Sequence, residues 1–353
     1  MKGVTIMNSR ERVLCSLSHT QPDRAPTDFG AVWEVWEKLF KHFKTKDYES
    51  ILNELKVDCR WIGPTYVGPN TTVFTDESYE TWGGSVARTV KNEYGSYQEI
   101  SKYALDVIET IEDIDHLLKL PELKYYDFSS IIEGSKLHED KFIITGNAST
   151  FHYPTLIRNM EDLLVDMIVS PELVHHIIKR CFDWHMQYHE RILEAGKGRI
   201  DAMQIADDFS TQSDLMFSVD MFREFFKQPM KKYVELCKSY GAIPYLHCCG
   251  SVYKLLPDLI DIGIEILDPI QTTATNMNPD RLKAEFGKHL TFHGAAETQS
   301  ILPNGTPDEV RKNAVQLVEI LGKDGGYILG PCHSIQADVP VENILALFDL
   351  SNR

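Results

Sequence analysis

What the chain lacks narrows it first. No stretch comes near the roughly 18 consecutive apolar residues that a membrane-spanning helix needs, although 43% of the 353 residues are hydrophobic. Basic residues are in short supply: 36 Lys and Arg stand against 52 Asp and Glu, a formal charge of -16. Such a chain carries no electrostatic footprint for nucleic acid or for an anionic membrane surface. Cysteines are few and odd in number, seven spread from Cys15 to Cys332. In a chain of this size that count fits thiols that are free or metal-bound in a reducing compartment. Met1 to Leu17 has no apolar segment of the length that a secretion signal requires. The expectation is a cytoplasmic globular protein whose ligands are small molecules.

What is present is a rhythm. Short apolar runs at 25–29, 57–62, 142–147, 202–206, 243–246, 265–267, 290–292 and 327–329 have the length of buried strands. A helix, or a segment holding one, follows each. Eight strand–helix units predict an α/β fold, a (β/α)8 TIM barrel, as a single domain over 1–353. An N-terminal helical extension, capped by Asn8 or Ser9, precedes it. Between 71 and 104 the pattern changes to β-prone pieces separated by Gly83-Gly84 and Glu93-Tyr94-Gly95, which reads as a β-hairpin insertion.

Polar residues gather where a barrel does its chemistry, at the C-terminal strand ends: Asp28, Asn147, Asp207, Asp208, His247, Cys249, Asp268, Gln271, His293, Cys332 and His333. Side chains alternate along a strand, so His247 and Cys249 share a face and Cys248 points the other way. One imidazole and one thiolate two residues apart are half of a tetrahedral zinc site. Cys332 follows the last strand run. If the fifth and eighth strand ends are neighbours, His247, Cys249 and Cys332 form a three-ligand catalytic site with one open position. The plainer alternative is that each cysteine is a small buried hydrophobe. Cys181, His185 and His189 fall on one helix face, but three ligands spaced along a straight helix diverge too far for one ion. Their charged neighbours point to a solvated face.

Several stretches together resemble the uroporphyrinogen decarboxylase superfamily: Ser9-Arg10-Glu11-Arg12-Val13-Leu14, Pro22-Asp23-Arg24-Ala25-Pro26, His247-Cys248-Cys249-Gly250-Ser251, Asp268-Pro269-Ile270-Gln271 and His293-Gly294. The resemblance implies a TIM barrel that is either a tetrapyrrole decarboxylase or a zinc- and corrinoid-dependent methyltransferase. The decarboxylases carry Arg-Gln-Ala-Gly-Arg after strand one. Here Phe29-Gly30-Ala31-Val32-Trp33-Glu34 has no arginine to pair with substrate carboxylates. The methyltransferase branch carries His-x-Cys and a distant Cys as Zn2+ ligands, which map onto His247, Cys249 and Cys332. Gly325 to Leu329 and Ala337 to Pro340 resemble its O-demethylase members. This resemblance implies methyl transfer from a methoxylated aromatic to the cobalt(I) of a corrinoid (cobalamin) carried on a partner protein. The alternatives are methylcobalamin:thiol methyl transfer and, third, a decarboxylase-type lyase. Asp208 and Glu297 are the candidate catalytic acids. Trp33, Trp61, Asn147, Phe151, Tyr153, Gln271 and His333 are the candidate substrate contacts.

Overall fold

The computed structural model describes residues 7–92 and 95–349. Seven parallel strands form one curled sheet: Cys59–Trp61, Phe142–Ala148, Ala202–Ala206, Ile243–His247, Ile266–Asp268, Thr291–Ala296 and Tyr327–Pro331, each paired with the next. The expected first strand is reduced to a short extended piece between the last and first of these. Asp28 N donates to Leu329 O, Leu329 N to Pro26 O and Asp58 N to Thr27 O. Single bonds thus complete a TIM-barrel-like ring at its first position. Pro26 has no N–H, which limits any longer ladder there.

Two apolar clusters divide the interior. One lies inside the ring, where Cys59, Phe142, Ile144, Ala202, Tyr245, Ile266 and Ile328 point inward. Val13, Leu14 and Leu17 of the helix Ser9–Leu17 join it, so that helix plugs the N-terminal end of the barrel. Asn8 caps this helix, with Glu11 reaching back to form a capping box. The larger cluster fills the space between strands and surrounding helices. No helix among the described residues is long and apolar enough to cross a membrane.

The same plug carries a buried ion network. Asp58, its side chain fully buried, accepts from Arg12 Nη1 at 2.7 Å, from Arg24 Nη1 at 2.7 Å and from Thr27 N at 2.9 Å. Asp23 holds Arg12 Nε at 2.6 Å. The early motif residues Arg12, Asp23 and Arg24 are therefore the fastening of the N-terminal segment to the barrel.

The insertion has strands Tyr79–Glu80, Val86–Asn92 and Gly95–Lys102, paired antiparallel. The piece at 71–74 is not a strand; Val73 makes a lone bridge to Tyr79. Glu93 and Tyr94 of the expected turn lie outside the described residues. The insertion sits over the loops at the C-terminal mouth. Ser85 Oγ donates to Leu156 O, and any side chain at Gly95 would collide with the Glu34 carboxylate.

The helix Pro171–Gly196 corrects one expectation. Cys181, His185 and His189 are buried rather than solvated. The charged neighbours occupy the opposite side of the helix, while this side packs inward. The His185 and His189 rings stack at 13°, and burial drives both pKa values down, His189 to about 3.

Removing the Asp58 carboxylate would leave two arginines facing one another at the plug. Asp58→Ala is expected to lower unfolding stability by about 3 kcal/mol, the scale for breaking a buried pair by removing one partner. Urea unfolding of the variant checks this; a loss below about 1 kcal/mol would place the fastening elsewhere.

Candidate metal centre

The strand register sets the centre. His247 ends the fifth barrel position, and its parallel partner on the sixth is Asp268. His247 Nδ1 lies 2.6 Å from Asp268 Oδ2, and its Nε2 lies 3.5 Å from Cys249 Sγ. A carboxylate behind an imidazole fixes the ring and leaves Nε2 free to bind a metal. Cys249 sits on a turn that Gly250 permits: at φ +85, with Thr211 O against it, no side chain would fit there. Asp208 Oδ1 accepts from Cys249 N at 2.7 Å and holds the same turn. Cys248 faces away, buried, with its Sγ accepting from Phe209 N.

Among the described residues, one group of His, Cys, Asp or Glu side chains has metal-binding geometry: the ligand atoms of His247, Cys249 and His333 lie within 4.8 Å of one another. Cys332, the expected third ligand, is not in that group. Its backbone is in place, because Cys332 N donates to Ala296 O at 2.7 Å, and it lines the smaller chamber together with Cys249 and Thr298. His333, expected as a substrate contact, stands beside His247, ring centroids 5.8 Å apart.

The ion chain continues inward. His293 Nδ1 lies 2.6 Å from Asp268 Oδ1, and its Nε2 lies 3.1 Å from Asp28 Oδ2. Carboxylates only accept, so a ring between two of them carries both protons. Burial disfavours that charge, but Asp268 and Asp28 outweigh it and hold the pKa at about 10. Burial likewise pushes Asp268 up, and the two imidazoles pull it well below the usual carboxylate range. Burial lowers His247 and the Asp268 charge raises it, with a net rise. For Cys249, burial and then the Asp208 charge both raise the thiol pKa. Cys332 rises to about 12, mainly by burial. Thiols so placed become thiolates when a cation shares their charge, which fits a soft metal held by nitrogen and sulfur.

Two chambers meet here. The larger, about 750 Å³, is lined by Trp36, Trp61, Tyr188, Tyr245, His247 and His293 among others. The smaller, about 560 Å³, is lined by Cys249, Cys332, Gln271 and a set of hydroxyl and amide side chains. His333 and Ser334 belong to both walls.

Other expected site residues are distributed unevenly. Trp61 lines the larger chamber, its Nε1 donating to Asp28 Oδ2 at 3.0 Å, and Asn147 lines it with φ +80. Trp33 is 56% exposed on the outside of its helix, donating to Glu37; Trp36, one turn along, enters the chamber in its place. Phe151 is buried among Phe209, Phe217 and Phe226. Tyr153 packs on Trp82 and His185, and its hydroxyl accepts from Nδ2 of Asn147, a residue of the larger chamber's wall, at 3.4 Å. Gln271 Oε1 accepts from Gly250 N at 2.8 Å. Glu297, expected to orient a substrate hydroxyl or brace the metal, accepts from Gln299 N, Ser300 N, Ser300 Oγ and Ile301 N, the start of the next helix. Asp268, His293 and Asp28 were visible as strand-end residues. What joins them is register, which no spacing in the sequence reports.

A profile of the uroporphyrinogen decarboxylase (URO-D) family matches residues 89–353, well over half of the chain. The chain belongs to the uroporphyrinogen decarboxylase family. Within it, the similarities point to several activities. A methylated-thiol–coenzyme M methyltransferase of Methanosarcina mazei is 25% identical over 177 residues, covering 50% of this chain and 44% of that protein. A methylcobamide:CoM methyltransferase of Methanosarcina barkeri is 29% identical over 161 residues, 45% and 43% of the two chains. A uroporphyrinogen decarboxylase of Nitratiruptor is 23% identical over 256 residues, 69% and 70%. The match thus spans less than half the length of the two methyltransferase relatives. Among solved structures, a methyltransferase from Methanosarcina mazei superposes with TM-score 0.67 at 19% identity, covering 97% of each chain. That likeness establishes the fold of this URO-D family member.

The ion chain makes a pH signature. The charged His293 contributes stability that is whole below its ordinary pKa of 6.5 and is lost as pH climbs toward about 10. Asp268 does the reverse, losing its contribution only as pH falls below the ordinary carboxylate range. Between pH 7 and 10 the unfolding free energy is expected to fall by on the order of a few kcal/mol. His293→Gln should flatten that part of the profile in denaturant titrations. Parallel profiles for both proteins would remove His293 as its source.

Proposed function

We propose that the protein is a zinc-dependent methyltransferase that moves a methyl group from a methoxylated aromatic to the cobalt(I) of a corrinoid carried on a partner protein. The observation that carries this reading is the His247–Cys249 pair, braced by Asp268, with His247 in the wall of the aromatic chamber and Cys249 in the wall of the polar one. The methyltransferase names of two relatives support it. Against a decarboxylase stands the larger chamber, among whose described lining residues there is no Lys or Arg to meet a polycarboxylate.

His247, Cys249 and Cys332 would hold the metal, with His333 competing for the position of Cys332. When bound, zinc supplies Lewis acidity toward an oxygen or sulfur of the substrate. The chain's own residues do the rest. Asp268 keeps the His247 ring in line, and Asp208 fixes the turn that presents Cys249. Trp61 and Trp36 offer faces for an aromatic ring. The corrinoid is too large for a barrel whose interior is filled by side chains, so its carrier would dock over the C-terminal mouth, where the insertion lies.

A second reading uses the same site for methyl transfer to a thiol; the coenzyme M names of the two relatives favour it. Incubation with reduced corrinoid and a panel of methoxyaromatics, with the cobalt absorption spectrum as readout, separates the two. No loss of the cobalt(I) bands with any donor would sink the first reading.

Metal content tests the centre independently. About one zinc per chain is expected, lost in Cys249→Ser and His247→Ala and kept in Cys248→Ser. Cys332→Ser and His333→Gln decide the third ligand by which of them loses metal on dialysis. Loss in Cys248→Ser as complete as in Cys249→Ser would refute the assignment of faces.

A further inference from the structure

The chamber walls differ from the rest of the protein in charge. The chain has 36 Lys and Arg, yet none of the described residues lining either chamber is one of them. The larger chamber has Asp28 and Asp268 in its floor, both already committed to imidazole and indole donors. The smaller is walled by neutral donors and acceptors, among them Ser210, Thr211, Gln212, Gln271, Thr298 and Gln299. An anionic group entering either space would shed its water and meet no Lys or Arg; the imidazolium of His293 in the larger chamber is already enclosed by Asp28 and Asp268. In the larger it would also lie near two carboxylates. A neutral ring meets Trp36, Trp61 and Tyr188, with the amides of Asn147 and Gln204 available to its oxygens.

We propose that the site selects an uncharged substrate, a neutral aryl methyl ether such as a methoxyphenol, and that Asp28 and Asp268 exclude its carboxylated counterparts. This rests on the methyl-transfer reading of the site. In that reaction the methyl–oxygen bond breaks with its electron pair left on the aryl oxygen. The reduced corrinoid supplies the pair for the new cobalt–carbon bond, and the oxygen takes a proton from solvent to become a phenol. Phenols of ordinary pKa, about 10, are neutral at pH 7, so substrate and product both remain uncharged in the chamber.

The test uses matched pairs that differ in charge, with the full zinc-loaded chain. 2-Methoxyphenol is compared with 4-hydroxy-3-methoxybenzoate, using reduced cobalamin as acceptor. 2-Mercaptoethanol is compared with 2-mercaptoethanesulfonate, using methylcobalamin as donor. The neutral member of a pair is expected to react at least about tenfold faster in kcat/KM, a factor equivalent to one unpaired buried charge at the low end of its cost. Binding isotherms of the same four compounds read the preference without turnover. Ser334→Arg, which brings a cation to the wall shared by both chambers, should narrow the difference by raising the anionic member. Demethylation of neither ether, with the neutral thiol methylated or bound in preference to the sulfonate, removes the ether donor and leaves the charge rule standing. Anionic members that react or bind within about twofold of their neutral counterparts overturn the charge rule, whichever direction the methyl group moves.

Discussion

One carboxylate shared by two imidazoles holds the mouth of this barrel together. Asp268 ends a strand of three residues, yet it meets His247 on one side and His293 on the other, each at 2.6 Å. His293 passes the constraint on to Asp28, which also receives the indole of Trp61. Four strand ends are tied by this chain of charge-assisted bonds, which are short and directional. Each ring therefore has one orientation, and His247 has one nitrogen left over. The metal-binding geometry with Cys249 arises from that leftover nitrogen.

The same chain shapes what the chambers accept. Its one doubly protonated ring, His293, is enclosed by two carboxylates, so it offers little to an incoming anion. The walls above it are aromatic on one side and amide- and hydroxyl-lined on the other. Cys249 and Cys332 border the polar side and His247 the aromatic side, with His333 in the wall between. A centre at the junction of two spaces suits a transfer reaction, in which two molecules approach one group from different directions.

The acids near the centre divide by what they accept. Asp207, buried, takes five hydrogen bonds from Ser149, Thr150, Phe151 and His152 and secures the loop after the third barrel position. Glu297 caps a helix in the same manner. Neither is distinguishable in sequence from Asp208, whose carboxylate stays beside the thiol turn. A strand-end acid announces a place at the mouth; only the donors around it say whether it is architecture or chemistry.

The alternation of apolar runs and helical segments was enough to predict a barrel, because strand length, turn residues and side-chain period are local properties of the chain. His247 and Cys249 could be placed on one face, with Cys248 opposed, by the same local rule. The missing cations were legible as composition. The rest depended on distance in space. Trp33 and Trp36 differ by one turn on an amphipathic helix, and packing against Phe29 and Tyr48 decides that Trp36 turns inward. Phe151 turns into an aromatic cluster behind the mouth, while Tyr153 packs on Trp82 and His185 with its hydroxyl on Asn147. The pairing of His247 with Asp268, and of Asp268 with His293, comes from parallel register across 21 and 25 residues. Which of the adjacent Cys332 and His333 comes within ligand distance of His247 and Cys249 is a matter of side-chain placement after the last strand, and here it is His333. Local chemistry is written in the order of residues, while the partners that orient it are chosen by the closed sheet that brings distant strand ends within bonding reach.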